Sequence, residues 1–449
     1  MSLMKYHIWT SGCQMNVADS RRVASALESL NYQSTDRAEK ADVVVLNTCV
    51  VRQSAEDSAA GRISSLIGVK RKNPDLVINL MGCMVGVKDH QELEERFPHV
   101  DVFSPPSDPG PLMAYLTKND AKEWQQAATS RRFAFMDGEL ELPQADKAQL
   151  VSAYVPIVLG CSHACTYCII PYRRGVERSR PAEDVIREVK SLVSQGVVEV
   201  TLLGQIVDRY GLDLDPATDL SALLASVHEI EGLERIRFLT SHPNWFDDEL
   251  MDTIGRLPKV MPHVEVPHQA GDNQVLVQMK REYTVEAYRD LVGRIRDRIP
   301  EVSIATDVIV GFPGETRAQF ENSYRLLEEL RFDVVHLARY SVRPGTVAAR
   351  RMEDDVSEEE KWRRFQRMEI LQEEIAGEIN ARYYQRRVEV LFEDYHKDRW
   401  RGRTPNNKLV FVESGQDLRG KILPVTITWT GPWSMQGRLL DNSRMELNV

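Results

Sequence analysis

The chain is short of cysteine, of long apolar runs and of surplus positive charge, and each shortage excludes something. Six cysteines in 449 residues are too sparse for a disulfide framework. No apolar run approaches the roughly 20 residues of a membrane-spanning helix, so no membrane is expected as a partner. The opening segment MSLMKYHIWTSGC lacks the long apolar core of a signal peptide and enters a strand-like run almost at once. A cytoplasmic, reducing location is the expectation. A formal net charge of −10 excludes a wholly basic nucleic-acid coat but leaves room for a local basic patch. With 42% hydrophobic and 28% charged residues, the chain can build full cores and is long enough for two or three domains.

The cysteines that are present are ordered. Cys161, Cys165 and Cys168 lie in GCSHACTYC with the spacing C-x3-C-x2-C, between an apolar strand, 154–159, and Ile169-Ile170. Three thiolates cannot fill four positions on a tetrahedral metal or a cluster, so one position comes from elsewhere or stays open. Sulfur-rich ligation selects zinc or iron–sulfur, and spacing alone does not choose between them. A zinc knuckle or three buried structural cysteines is the plainer alternative. Cys13, Cys49 and Cys83 lie 36 and 34 residues apart, and each directly follows a strand-like segment. No cysteine follows Cys168. The pattern reads as two sets of three ligands rather than a disulfide framework, with three separately buried cysteines at strand ends as the plainer alternative for the second set.

Strand, cysteine and helix recur three times within the first hundred residues. The strands are read at 5–9, 43–46 and 76–83, the helices at 19–30 and 54–72. Continuously apolar strands alternating with helices predict a small parallel α/β domain over 3–118, whose strand carboxyl ends gather at one edge. A polar linker with one short helix is expected over 119–150. Six strand–helix units over 151–341 predict a partial (β/α)6 barrel rather than a closed eight-unit one. A charged helix over 352–384 completes this domain, taken as 151–383. Short strands over 384–449 predict a small β-barrel of five strands.

The run GCSHACTYCIIPYRRGVERSR resembles the signature of the radical S-adenosylmethionine (SAM) enzymes, in particular their tRNA methylthiotransferase branch. GCQMN, NTCVVR and MGC around Cys13, Cys49 and Cys83 resemble the same family. The last domain resembles the TRAM module, an RNA-binding barrel. The resemblance implies two [4Fe-4S] clusters, one on Cys161, Cys165 and Cys168 with an open iron for SAM, the other on Cys13, Cys49 and Cys83. These six cysteines become the catalytic and metal-binding residues. It places Tyr167, Gly204, Gln205, Gly311, Phe312, Pro313, Tyr340 and Arg343 beside the cofactor. The implied substrate is the tRNA anticodon stem-loop, with N6-isopentenyladenosine as the base, served by a sulfur donor and a flavodoxin-like or ferredoxin-like electron donor. N6-threonylcarbamoyladenosine, a ribosomal-protein aspartate, or an iron–sulfur RNA-binding protein without catalysis are the alternatives. A monomer is expected.

Two basic surfaces are candidates for RNA. PYRRGVERSR supplies Arg173, Arg174 and Arg178. Residues 380–408 carry eight Lys or Arg against four Asp or Glu, among them Arg386, Arg387, Arg399, Arg401 and Arg403, with Trp400, Tyr383, Tyr384 and Tyr395 interleaved for stacking. The chain departs from the family pattern at five places. Ile206 and Asp208 stand where asparagines are usual, and His268, Ala270 and Asp272 alter the PVQSGS-like loop. Asp272 adds negative charge beside a site expected to admit a polyanion.

Overall fold

The computed structural model describes residues 3–87, 90–117 and 139–440. The short helix expected in the linker falls largely outside these residues. The N-terminal region is a five-stranded, all-parallel sheet of order β2-β1-β3-β4-β5, from β1 (Lys5–Thr10), β2 (Gln33–Ser34), β3 (Val43–Thr48), β4 (Val77–Gly82) and β5 (Val102–Ser104). Every residue of β3, VVVLNT, is buried, as a central strand covered on both faces requires. The first helix, Gln14–Ser29, begins earlier than its apolar stripe suggests, directly after Cys13. The helix expected over 54–72 is two, Gln53–Ser65 and Ile67–Lys72, divided at Leu66.

The central domain carries six parallel-type strands in two hydrogen-bonded groups. β6 (Ser152–Pro156), β9 (Glu199–Leu203) and β10 (Arg235–Leu239) form one group. β11 (His263–Glu265), β12 (Ser303–Val310) and β13 (Val334–Arg339) form the other. A parallel bridge from Ile236 to Val260 joins them, giving the partial barrel. A small antiparallel pair, β7 (Val158–Leu159) with β8 (Arg178–Ser179), brackets the cysteine loop. The helix Arg317–Leu330 starts with a full capping box, Thr316 and Gln319 each satisfying the other's backbone N–H. The helix Asp248–Arg256 was not expected from the sequence. Its signals are nonetheless there: Asp247 caps the Leu250 N–H at 2.9 Å, and Leu250, Met251 and Ile254 are buried. Nine residues are too few for the apolar stripe to stand out.

Of the linker expected over 119–150, the described residues 139–150 are mostly exposed or half-buried but are anchored at two points. Leu140 and Leu142 are buried in the barrel core, and Gln195 accepts the Leu142 N–H at 2.7 Å. Two leucines among many charges were enough to anchor it. The charged helix runs Glu358–Ala381, shorter than expected, after a separate turn of helix at Val347–Arg351. The C-terminal strands β14 (Arg387–His396), β15 (Arg399–Arg403), β16 (Leu409–Val412), β17 (Ile422–Thr430) and β18 (Met435–Leu439) close into a barrel of order β14-β15-β16-β18-β17. RWRGR and MQGRL make two of its strands; their alternate residues face inward, a pattern hidden by the arginines.

The C-terminal barrel is fastened to the central one through backbone carbonyls. Arg237 donates to Thr404 O and Pro405 O at 2.9 and 2.8 Å, and Arg235 donates to Arg403 O at 2.8 Å. The N-terminal region docks through a buried triad. Arg22 of the first helix and Arg180 of the central domain both hold Glu188, at 2.5 and 2.6 Å.

Candidate active site

Cys13, Cys49 and Cys83 follow three strands that are neighbours in one sheet, with Thr10 beside Asn47 and Thr48 beside Gly82. The three cysteine loops therefore leave the sheet at the same edge. Gly12 has φ +123°, and a Cβ there would lie 2.6 Å from the Cβ of Cys49, so only glycine admits this approach. Asn16 stitches the loops by donating to Ser11 O at 2.9 Å and Thr48 O at 3.0 Å, while Cys13 Sγ donates to Asn16 Oδ1 at 3.7 Å. The Cys83 N–H donates to Thr48 O at 2.9 Å. Cys49 and Cys83 are buried and Cys13 is exposed.

Cys161, Cys165 and Cys168 share one loop. The Cys168 N–H donates to Cys165 O at 3.1 Å, and the Cys161 N–H to Gly175 O at 3.0 Å. Arg281, which the sequence reading passed over, donates to Cys165 Sγ at 3.3 Å and is itself buried. A lone arginine in MKREYT carries no spacing signal that could have singled it out.

Burial pushes Cys49 and Cys161 up to about 11 and Cys168 up to about 12, and raises Cys83 as well. Bare thiols there keep their protons at neutral pH; ligation is what would make them thiolates. Burial also pushes Cys165 up, but His163 and Arg281 outweigh it, and this thiol titrates below its ordinary value. Each set thus has three sulfur donors and one buried guanidinium, Arg281 beside one and Arg174 beside the other. That donor chemistry fits an anionic iron–sulfur cluster at each place. Among the described residues no three Cys, His, Asp or Glu side chains gather as ligands for a single metal ion.

The segment between the two sets is turned partly inward. Arg174, expected to reach nucleic acid, is instead buried and donates to Asn16 Oδ1 at 2.7 Å, with Asp19 Oδ2 at 3.7 Å. Arg173 is half-buried and donates to Met84 O at 3.3 Å, in the loop of Cys83. Arg178 is exposed, as an RNA contact requires.

The cofactor expectations divide in the same way. A cavity of about 210 Å³ opens beside Cys168, lined by Tyr167, Gln269, Asp307, Tyr340 and Arg52. Phe312 is fully buried, edge-on to Tyr167 and Tyr340 with ring centroids 6.4 and 5.5 Å away, so its ring is packing. Gly311 has φ +71° and its N–H is taken by Glu315 at 2.6 Å; a Cβ there would strike Lys361 at 2.3 Å. Its glycine is required by the helix behind it, not by an approaching ligand. Pro313 follows in the same turn. Arg343 lines the same cavity and also reaches the Cys49 loop, donating to Val50 O at 3.2 Å, Gln53 at 2.6 Å and Glu56 at 3.1 Å. Gly204 is buried against Val158 and Val207, and Gln205 follows it half-buried.

The departures from the family pattern have physical explanations. Ile206 packs with Cys161 and Ile170, an apolar cover for the cysteine loop. Asp208 accepts the His242 N–H at 2.8 Å, and burial pushes its carboxyl up to about 8. A neutral carboxylic acid offers one acceptor and one donor, as an asparagine amide does. Asp272 caps the helix Asn273–Gln278 and accepts from Gln319 and Asn322, so its charge is engaged within the fold. His268 is buried, stacked on Phe332 with Nδ1 3.1 Å from Thr306, and Ala270 is buried beside it. His163, His242 and Trp245 form an aromatic wall next to the cysteine loop, with the two histidine rings 4.7 Å apart.

In the C-terminal barrel, Trp400 lies in the core and Tyr383 is buried, so neither is a stacking platform. Arg401 pairs with Asp394 at 2.9 Å, Arg403 approaches Glu393 at 3.5 Å, and Arg386 approaches Glu301 at 3.6 Å. Arg387 is exposed and Arg399 lies over Phe411. Trp429 and Trp433, which the sequence reading did not single out, are the exposed tryptophans of this domain.

Three family models match in succession: uncharacterized protein family UPF0004 over residues 5–104, the radical SAM superfamily over 155–327 and the TRAM domain over 381–440. The fold agrees with that of the radical SAM methyltransferase TsrM from Kitasatospora setae, at TM-score 0.56 and 16% identity over 78% of this chain and 77% of that one. These matches define a radical SAM barrel with a domain on either side. Two curated relatives carry the name tRNA-2-methylthio-N(6)-dimethylallyladenosine synthase. The Roseiflexus sp. protein is 48% identical over 97% of this chain and 89% of its own. The Herpetosiphon aurantiacus protein is 46% identical over 99% of both. The chain belongs to this synthase family of radical SAM methylthiotransferases.

Proposed function

We propose that this chain places a methylthio group on C2 of N6-isopentenyladenosine beside the tRNA anticodon, giving 2-methylthio-N6-isopentenyladenosine. The observation that carries the reading is the second cysteine set. Three strand ends bring Cys13, Cys49 and Cys83 together, and Arg173, Arg174 and Arg343 tie their loops to the barrel that bears Cys161, Cys165 and Cys168.

In this proposal each set holds one [4Fe-4S] cluster, and the fourth position of the radical-loop cluster takes SAM. When bound, these groups supply one-electron cleavage of SAM, which reaches a C2–H that no polar base could readily deprotonate. The protein's own part is placement and shielding. Tyr167, Gln269, Asp307, Tyr340 and Arg52 line the cavity beside Cys168, and Ile206 and Ile170 keep water from Cys161. Arg281 and Arg174 offset the negative charge that a cluster held by thiolates brings into a buried place. The electron donor is of the flavodoxin or ferredoxin class, sulfur comes from a separate donor, and the protein acts as a monomer.

The C-terminal barrel holds the stem-loop through Arg387, Arg399, Trp429 and Trp433 on its exterior. Trp433→Ala weakens tRNA binding by about 1–3 kcal/mol at unchanged stability, whereas Trp400→Ala lowers stability by about 3–5 kcal/mol. Filter binding and urea melts check the pair; the reverse assignment would move the RNA surface elsewhere. The reaction is tested by anaerobic reconstitution with SAM, reductant and tRNA bearing isopentenyladenosine, with nucleosides identified by mass spectrometry. The 2-methylthio base is the expected product. SAM cleavage with that base unchanged would overturn the substrate and direct the test to threonylcarbamoyladenosine.

A further inference from the structure

Among the arginines by which the central domain reaches the N-terminal cysteine set, one is almost wholly buried. Arg174 ends the short helix Ile170–Arg174 that follows the radical-loop cysteines. Its side chain is 2% exposed, its Nη2 donates to Asn16 Oδ1 at 2.7 Å, and its Nη1 lies 3.7 Å from Asp19 Oδ2. Cys83 and Cys13 are within electrostatic reach of the same guanidinium. Its Nε–H is buried without a hydrogen-bond partner, an unusual state for a charged donor, which ordinarily costs stability unless something else satisfies it. The neighbouring residue completes the link, since Gly175 O accepts the Cys161 N–H at 3.0 Å. One dipeptide therefore touches both cysteine sets.

We propose that Arg174 is a positioning residue that serves as the fixed counter-cation of the auxiliary centre on Cys13, Cys49 and Cys83, and thereby sets how readily that centre accepts an electron. A cluster core held by three thiolates is anionic, and one-electron reduction adds a further negative charge. A permanently protonated guanidinium in a low-dielectric surround favours the more negative state. Asp19, 3.7 Å from the guanidinium and within electrostatic reach of Cys83, partly cancels it, so the two residues pull the potential in opposite directions.

The proposal rests on the second cluster inferred above. It is tested in the full chain carrying C161A, C165A and C168A, so that only the auxiliary centre holds iron. Potentiometric titration with dithionite, followed by electron paramagnetic resonance, reads the one-electron midpoint. Arg174→Gln should make reduction at least tenfold less favourable, 59 mV lower for a one-electron couple, and Arg174→Lys should restore most of the loss. Asp19→Asn should shift the midpoint upward. A purely structural role would leave the midpoint alone, or move it the same way in R174Q and D19N, and either result overturns the proposal. Where R174Q holds no iron, D19N decides: a rise supports the proposal and an unchanged or lower midpoint overturns it. A parent protein without iron would overturn the second-cluster reading and this inference together.

Discussion

The two cysteine sets are placed by opposite routes. Cys161, Cys165 and Cys168 are held by their own loop, and their close spacing is visible in the sequence. Cys13, Cys49 and Cys83 are carried to one sheet edge by topology, through the parallel register of β1, β3 and β4 and the Gly12 approach to Cys49. A local set needs little beyond a turn. An assembled set needs the whole domain, and here also the neighbouring one, because Arg173, Arg174 and Arg343 hold its loops from the barrel side. The assembled centre should therefore be the first to fail when packing is disturbed.

The sharpest way to break the comparison is to remove each set. Replacing Cys161, Cys165 and Cys168 by alanine should abolish both SAM cleavage and methylthio product. Replacing Cys13, Cys49 and Cys83 should abolish product but leave SAM cleavage, read by chromatography of 5′-deoxyadenosine. Loss of cleavage in both would mean that the sets do not act separately.

A large effect on the assembled set alone is expected from Glu188→Gln. It leaves Arg22 and Arg180 buried without their shared anion, which costs about 3–5 kcal/mol. Denaturant melts should show it, and the N-terminal cysteines should become reactive to thiol reagents before those of the radical loop. Arg343→Met is smaller, about 2 kcal/mol for lost charge-assisted hydrogen bonds. It should lower the denaturant midpoint and loosen the Cys49 loop, which the same two assays check.

The last effect is a pH dependence and lies beside the local set. Asp208 binds its proton up to about pH 8 in the folded chain, against about 3.9 when unfolded. The folded state thus holds the extra proton between these values, and stability falls as pH rises through that window, by up to about 1.4 kcal/mol per unit. Asp208→Asn keeps the acceptor for His242 and should flatten that slope. An unchanged slope in urea melts from pH 5 to 8 would assign the titration to another group.

The contrast also explains what could be read in advance. Apolar strands and the position of cysteines after them were visible in sequence, so the parallel domain, the partial barrel and the placing of Cys13, Cys49 and Cys83 at one sheet edge followed. Buried charge was not. Arg173 and Arg174 in PYRRG look like a surface patch, and only the fold shows them pressed on Asn16 and Met84. Gly311 is expected beside a ligand from sequence, because close approach by Lys361 has no signature at a sequence separation of this size. Trp400 looks like a platform in sequence because alternation in a short, arginine-rich strand conceals which side faces in, whereas Trp433 lies outside the strands, in the turn between β17 and β18, where no periodicity marks it.

Iron and sulfide analysis of the reconstituted full chain, beside the two triple-alanine variants, tests the central claim most directly. Two [4Fe-4S] centres predict about eight irons per chain in the parent and about four in each variant. About four in the parent, with none lost on replacing Cys13, Cys49 and Cys83, would contradict the account of an assembled second centre.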